Sequence, residues 1–135
     1  MKFLIEQTRV TPLVDYNNGE RTLRISGRSS PENPLMFYQR LMDFVDEFAS
    51  SIEPVLIVNV SMEYFNTSST KCLFNLFKKM NEVQRELGKV VVINWYYEDW
   101  DDDMLEIGED FSYGLDMEFN LIEVEDINSL TMEAA

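Results

Sequence analysis

Apolar residues recur along the chain with two periods, and the changes between them mark the elements. "KFLIEQ" and "TPLVDYNNGERTLRISG" read as short strands, with "NNGE" the turn of a hairpin. Phe37, Leu41, Phe44, Val45 and Phe48 then recur every three or four residues, which predicts an amphipathic helix over Leu35 to Ser50. The loop before it, "RSSPENP", suggests Ser30 as N-cap and Pro31 as the first helical residue. "PVLIVNVSM" and "KVVVINWYYE" are almost continuously apolar, as buried strands are. Between them Leu73, Leu76, Phe77, Met80, Val83 and Leu87 share one helical face, and Gly88 is placed to cap the end. "DWDDDMLEIGEDFSYG" predicts a shorter helix with Met104, Leu105, Gly108 and Phe111 turned inward, before a last strand, "MEFNLIEV". The order β-β-β-α-β-α-β-α-β describes an α/β domain with a mixed sheet and three to four helices, its strand-helix-strand units from residue 55 onward being parallel crossovers. One domain spans 1–125, and 126–135 reads as a tail or short helix.

Composition narrows what such a domain can do. At 135 residues the chain can bury a core without staples, and 45% hydrophobic content supports one. The 25 acidic residues outweigh 11 basic ones, giving a net charge of −14. That field repels phosphate backbones and anionic lipid, so nucleic acid and membrane are disfavoured as partners. The single cysteine, Cys72, forms no intrachain disulfide and reads as a small buried hydrophobe. "MKFLIEQTRV" lacks the apolar core of a signal peptide, and a cytoplasmic location is expected. Histidine is absent, so no Ser/His/Asp or Cys/His nucleophilic site can be assembled from this sequence.

The most unusual stretch is "YFNTSSTK", where Thr67, Ser68, Ser69 and Thr70 stand together at a strand-to-helix corner. Asn, Ser and Thr are preferred N-caps, because their side-chain oxygens satisfy orphan N–H groups. One residue suffices for that, and the Ser/Thr box with Glu or Gln three residues on is missing. The other reading is phosphorylation: a phosphate at a helix N-terminus meets free N–H donors and the positive end of the dipole. Lys71 adds a counter-charge one turn in. Capping and modification both remain open on the residues alone.

A second constellation, "EDWDDDMLEIGED", carries eight carboxylates from Glu98 to Asp110. Asp99, Asp101 and Asp103 imitate the start of a calcium loop, but Met104 stands where that loop requires glycine and Asp110 where it requires glutamate. Asp101 to Asp103 fit better as a cap and a charged first turn. The alternative is a metal-binding or carboxylate-dependent enzyme built on the 98–110 cluster. The aromatic run Trp95, Tyr96, Tyr97 and Trp100 divides between core and surface if it ends a strand.

Taken together, "TP-V-D", "I-GRSSPENP--FY", "YFNTSSTK", "V-INWYYEDWDDDMLEIGEDF" and "F-LIEV" resemble the SiaC family of bacterial regulatory phosphoproteins, from about Thr11 to Val124. The resemblance implies a fold similar to the STAS domains of anti-sigma-factor antagonists. It also implies a partner switch with no catalytic residue, metal or cofactor. A serine/threonine kinase phosphorylates the threonine of the "NTSS" motif, here Thr67, with Ser68 the alternative, and a PP2C-type phosphatase removes the phosphate. The unmodified protein binds and activates a diguanylate cyclase, linking the switch to cyclic di-GMP and biofilm behaviour. The partner-facing residues so implied are Glu32, Asn33, Tyr64, Asn66, Thr67, Ser68, Ser69 and Lys71.

Overall fold

The computed structural model describes residues 1–129. The elements follow the expected order: β1 (Phe3–Ile5), β2 (Leu13–Asn17), β3 (Thr22–Ser29), α1 (Pro34–Ser50), β4 (Val55–Phe65), α2 (Thr67–Leu87), β5 (Val90–Glu98), α3 (Asp102–Gly114) and β6 (Glu118–Val124). The strands form one sheet in sequence order, with β1, β2 and β3 antiparallel and β3 to β6 parallel. The parallel region therefore begins one strand earlier than residue 55, since α1 is itself a crossover from β3 to β4.

Two neighbouring rows of side chains explain the layering. Ile5, Val14, Ile25, Val60, Trp95 and Leu121 are paired in succession across all six strands. The adjacent row runs Leu4, Asp15, Arg24, Asn59, Asn94 and Asn120. Successive residues of a strand point to opposite faces, so the first row faces the core and the second faces away. Helix residues confirm which face is covered. Phe44 of α1 packs on Phe3 and Tyr16, while Phe77 of α2 and Phe111 of α3 both pack on Trp95. All three helices therefore cover one face, as expected when each crossover has the same hand and the strand order never reverses. On the other face Asn94 donates to Asn59 and Asn120 donates to Asn94, both at 2.9 Å, which satisfies the half-buried amides.

Helix ends follow their sequence signals with one correction. Gly88 closes α2 in the left-handed region at φ 69°, and Asp101 caps α3 by accepting from the Met104 N–H. The start of α1 is not at Ser30 and Pro31: Asn33 is the N-cap, accepting from the Met36 N–H at 3.1 Å, and Pro34 is the first helical residue. A helix begun at Pro31 would place Pro34 inside it and force Asn33, the residue before a proline, into the disfavoured α region. Leu87, expected on the core face of α2, is 54% exposed as the last residue of the helix before Gly88. Leu105 is only half-buried, whereas Met104, Gly108 and Phe111 are buried as expected.

One lysine does structural work at the amino-terminal edge of the parallel strands. Lys89 donates from Nζ to the carbonyls of Phe48, Ser51 and Glu53 and lies 4.7 Å from the Phe48 ring centroid. It thus ties the loop carbonyls of Ser51 and Glu53 to the last turn of α1 and puts a positive charge at the negative end of the dipole. A helical turn covers 127–129, with Ile127 buried. The remainder of the tail or helix expected over 126–135 lies outside the described residues. Among the described residues no helix is long and apolar enough to cross a membrane.

Candidate functional site: a hydroxyl corner at the carboxyl edge

α1, α2 and α3 all start at the carboxyl edge of the parallel strands, where an α/β sheet presents its ligand-facing loops. The β3 and β4 ends are held together there. Ser29 pairs with Phe65, and the Asn66 N–H donates to the Ser29 carbonyl at 3.0 Å. Just upstream the register shifts between Gly27 and Arg28, where Gly27 adopts φ 113°. A bulge with that backbone suits glycine and re-aims the strand end beside the corner.

The four hydroxyls of "NTSST" have separate fates. Asn66 is the N-cap of α2, its Oδ1 accepting from the Ser69 N–H at 2.9 Å. Thr70 turns its hydroxyl back to the Asn66 carbonyl, also at 2.9 Å. Ser69 is fully buried, and its Oγ accepts from Ser29 at 2.8 Å. Because Ser29 spends its proton there, its 2.8 Å contact with Tyr38 has the phenol as donor. The chain Tyr38–Ser29–Ser69 thus joins α1, β3 and α2 beneath the corner. Only Thr67 and Ser68 are exposed. As the first two residues of the helix they have no carbonyl one turn back, so their N–H groups are free to meet an anion.

The two titratable groups buried beneath the corner are both held in their neutral forms. Burial pushes the Tyr38 hydroxyl above the usual phenol range, the hydrogen bonds with Ser29 and Ser69 pull against it, and nearby Cys72 raises it further. Burial likewise raises Cys72, so its thiol stays protonated and inert.

Most of the residues expected to face a partner are at the surface. Glu32 and Asn33 are exposed in the loop leading to α1, Tyr64 is 43% exposed at the end of β4, and Lys71 is exposed one turn into α2. Ser69 is the correction: with no exposed surface it cannot touch a partner, and its role is to tie the helix down. The sequence reading missed Ser29 and Tyr38, although both lie within "GRSSPENP--FY". Their signal was two polar atoms at positions the helical and strand periods bury. It also missed Leu35 and Met36, exposed by 75% and 68% in the first turn of α1. Ser69→Ala removes the acceptor of the Ser29 hydroxyl and should cost about 1–2 kcal/mol in urea unfolding. Ser68→Ala, outside the chain, should stay within about 0.5 kcal/mol; equal midpoints for the two would mean the buried chain does not hold the corner.

The acidic stretch resolves as a helix start. Asp101 caps α3, and Asp102 and Asp103 occupy its first turn. Among the described residues no three acidic or thiol groups gather to hold a metal ion. The aromatic run divides, with Trp95 fully buried and Trp100 70% exposed.

With that geometry in place, the family model described as SiaC family regulatory phosphoprotein matches residues 5–124. The chain belongs to the SiaC family. A relative from Pseudomonas aeruginosa strain UCBPP-PA14, an uncharacterised protein, is 26% identical over 107 residues, covering 79% of this chain and 84% of the relative. The fold is that of solved SiaC structures. Apo-SiaC from Pseudomonas aeruginosa matches with a TM-score of 0.82 at 24% identity, over 90% of this chain and 98% of that one. A chain from the crystal structure of diguanylate cyclase SiaD in complex with its activator SiaC, from the same organism, matches with a TM-score of 0.83 at 24% identity, over 90% and 99%. SiaC family membership makes this chain a member of a regulatory phosphoprotein family, and its "NTSS" corner lies within the matched residues.

Proposed function

We propose that this chain is a non-enzymatic switch in which reversible phosphorylation of Thr67 controls binding to, and activation of, a diguanylate cyclase. A serine/threonine kinase adds the phosphate and a PP2C-type phosphatase hydrolyses it, so that cyclic di-GMP output and biofilm behaviour follow the state of one hydroxyl. The observation that carries the assignment is the sorting of the corner: Ser69 is buried and Thr70 is bonded to the backbone, while Thr67 opens the helix in the open. Ser68, exposed beside it, is the second candidate.

The physical effect of the phosphate follows from its surroundings. It brings roughly −1.5 to −2 charges. Free N–H groups at the helix start stabilise it, so the fold accepts the modification without rearrangement. Leu35 and Met36 stand exposed in the first turn of neighbouring α1, and a partner that covers these apolar side chains must dehydrate whatever lies beside them. A hydroxyl is dehydrated at modest cost; a dianion is not. The unmodified form is therefore the binding form.

Incubation with the cognate kinase, ATP and Mg²⁺, followed by tandem mass spectrometry, should place one phosphate on Thr67. Phosphate on Ser68 alone would move the switch by one residue, and an unmodified 66–71 segment beside full kinase activity on another substrate would refute the assignment.

A further inference from the structure

Next to the corner, a groove of about 460 Å³ separates the end of β4 from the start of α3. Tyr64, Trp100, Met104 and Ile107 give it apolar walls, and Glu63, Asp103 and Glu106 line it with carboxylates. None of these carboxylates forms an ion pair among the described residues, whose only two salt bridges are Arg21–Glu53 and Lys79–Asp46. An indole 70% exposed to water beside unpaired carboxylates has two unmet preferences in one place.

We propose that this groove receives an arginine of the protein partner, carried on a segment with a bulky aliphatic neighbour. The proposal rests on the reading that the carboxyl edge meets a protein, and it names the chemistry that protein presents. A guanidinium is weakly hydrated and planar, so it stacks on exposed Trp and Tyr faces while pairing with carboxylates at its edge. Its methylene stem and the aliphatic neighbour cover Met104 and Ile107. A purely apolar segment would leave the carboxylates dehydrated and unpaired, and an acidic one would be repelled. One face of the Tyr64 ring is taken by the Arg28 guanidinium, 5.0 Å from the centroid, so the exposed Trp100 indole is the ring on which the incoming guanidinium stacks. The net charge of −14 draws such a segment in from a distance.

The test uses two short amphipathic helical peptides, identical except that one carries arginine where the other carries glutamate. Each is titrated into the isotope-labelled full chain. The arginine peptide should saturate, shifting the Trp100 indole and Glu106 amide signals, while the glutamate peptide shifts neither. Trp100→Ala and Glu106→Lys should each weaken binding at least about tenfold. Both residues are exposed, so both variants should unfold with the wild-type midpoint. Equal responses to the two peptides, or wild-type affinity in both groove variants, would overturn the proposal. No phosphate enters this experiment, so its failure leaves Thr67 as the switch intact, and an unmodifiable Thr67 leaves the groove result intact.

Discussion

Trp95→Ala is expected to destabilise the domain by about 3–5 kcal/mol. Trp95 has no exposed surface, and its indole N–H donates to the Met104 carbonyl at 3.0 Å. Around it stand Phe65, Phe77, Phe111 and Phe119, with ring centroids 5.9, 6.4, 5.4 and 5.9 Å away. These come from β4, α2, α3 and β6, so one side chain holds the parallel half of the sheet to two helices. Four elements cannot all move into the space an alanine leaves, and the cavity cost adds to the lost transfer energy. A domain of this size has about 5–15 kcal/mol to lose. Urea unfolding followed by far-ultraviolet circular dichroism should show a far lower midpoint, or no folded baseline. Trp100→Ala should shift it by no more than about 0.5 kcal/mol, because that ring is in water; comparable losses from both would contradict the division of the aromatic run.

The second large effect concerns binding. Thr67→Ala should bind the cyclase within about twofold of wild type, and Thr67→Glu should bind at least about tenfold more weakly. The alanine keeps the N-cap, because Asn66 and not Thr67 serves the Ser69 N–H. The glutamate brings a charge to the first helical position, where the dipole stabilises it in the free protein. A partner that covers the start of α2 then strips its water without supplying a counter-charge. A carboxylate has one charge and a smaller hydration shell than a phosphate, which is why its effect is the lesser one. Isothermal titration of both variants against the cyclase reads the difference directly, and equal affinities would remove the electrostatic basis of the switch.

The element order was legible because the apolar periods are clean: "VLIVNV" and "VVVIN" cannot be surface segments, and α1 and α2 keep their stripes for four turns or more. Other features depended on facts that no local pattern contains. The start of α1 at Pro34 depended on a competition between two prolines. Gly108 was expected to point inward, but its reason appears only in three dimensions, since a Cβ there would lie 2.6 Å from the Trp95 indole. The site was legible as a corner and not as a mechanism. Four consecutive hydroxyls look alike in sequence, and their fates depend on helix phase and on Ser29 and Tyr38, 40 and 31 positions away from Ser69 and its tether. The family resemblance singled out Thr67; burial explains why Ser69 is not available instead.

One phosphate on Thr67 is expected to separate the binding form from the silent form. The most direct test is calorimetric titration of the cyclase with unmodified protein and with protein stoichiometrically phosphorylated at Thr67, under the same salt. Binding by the unmodified form and at least about a hundredfold weaker binding by the phosphorylated form, some 2.7 kcal/mol, is the predicted result. Equal affinity of the two forms, or tighter binding by the phosphorylated one, would contradict it.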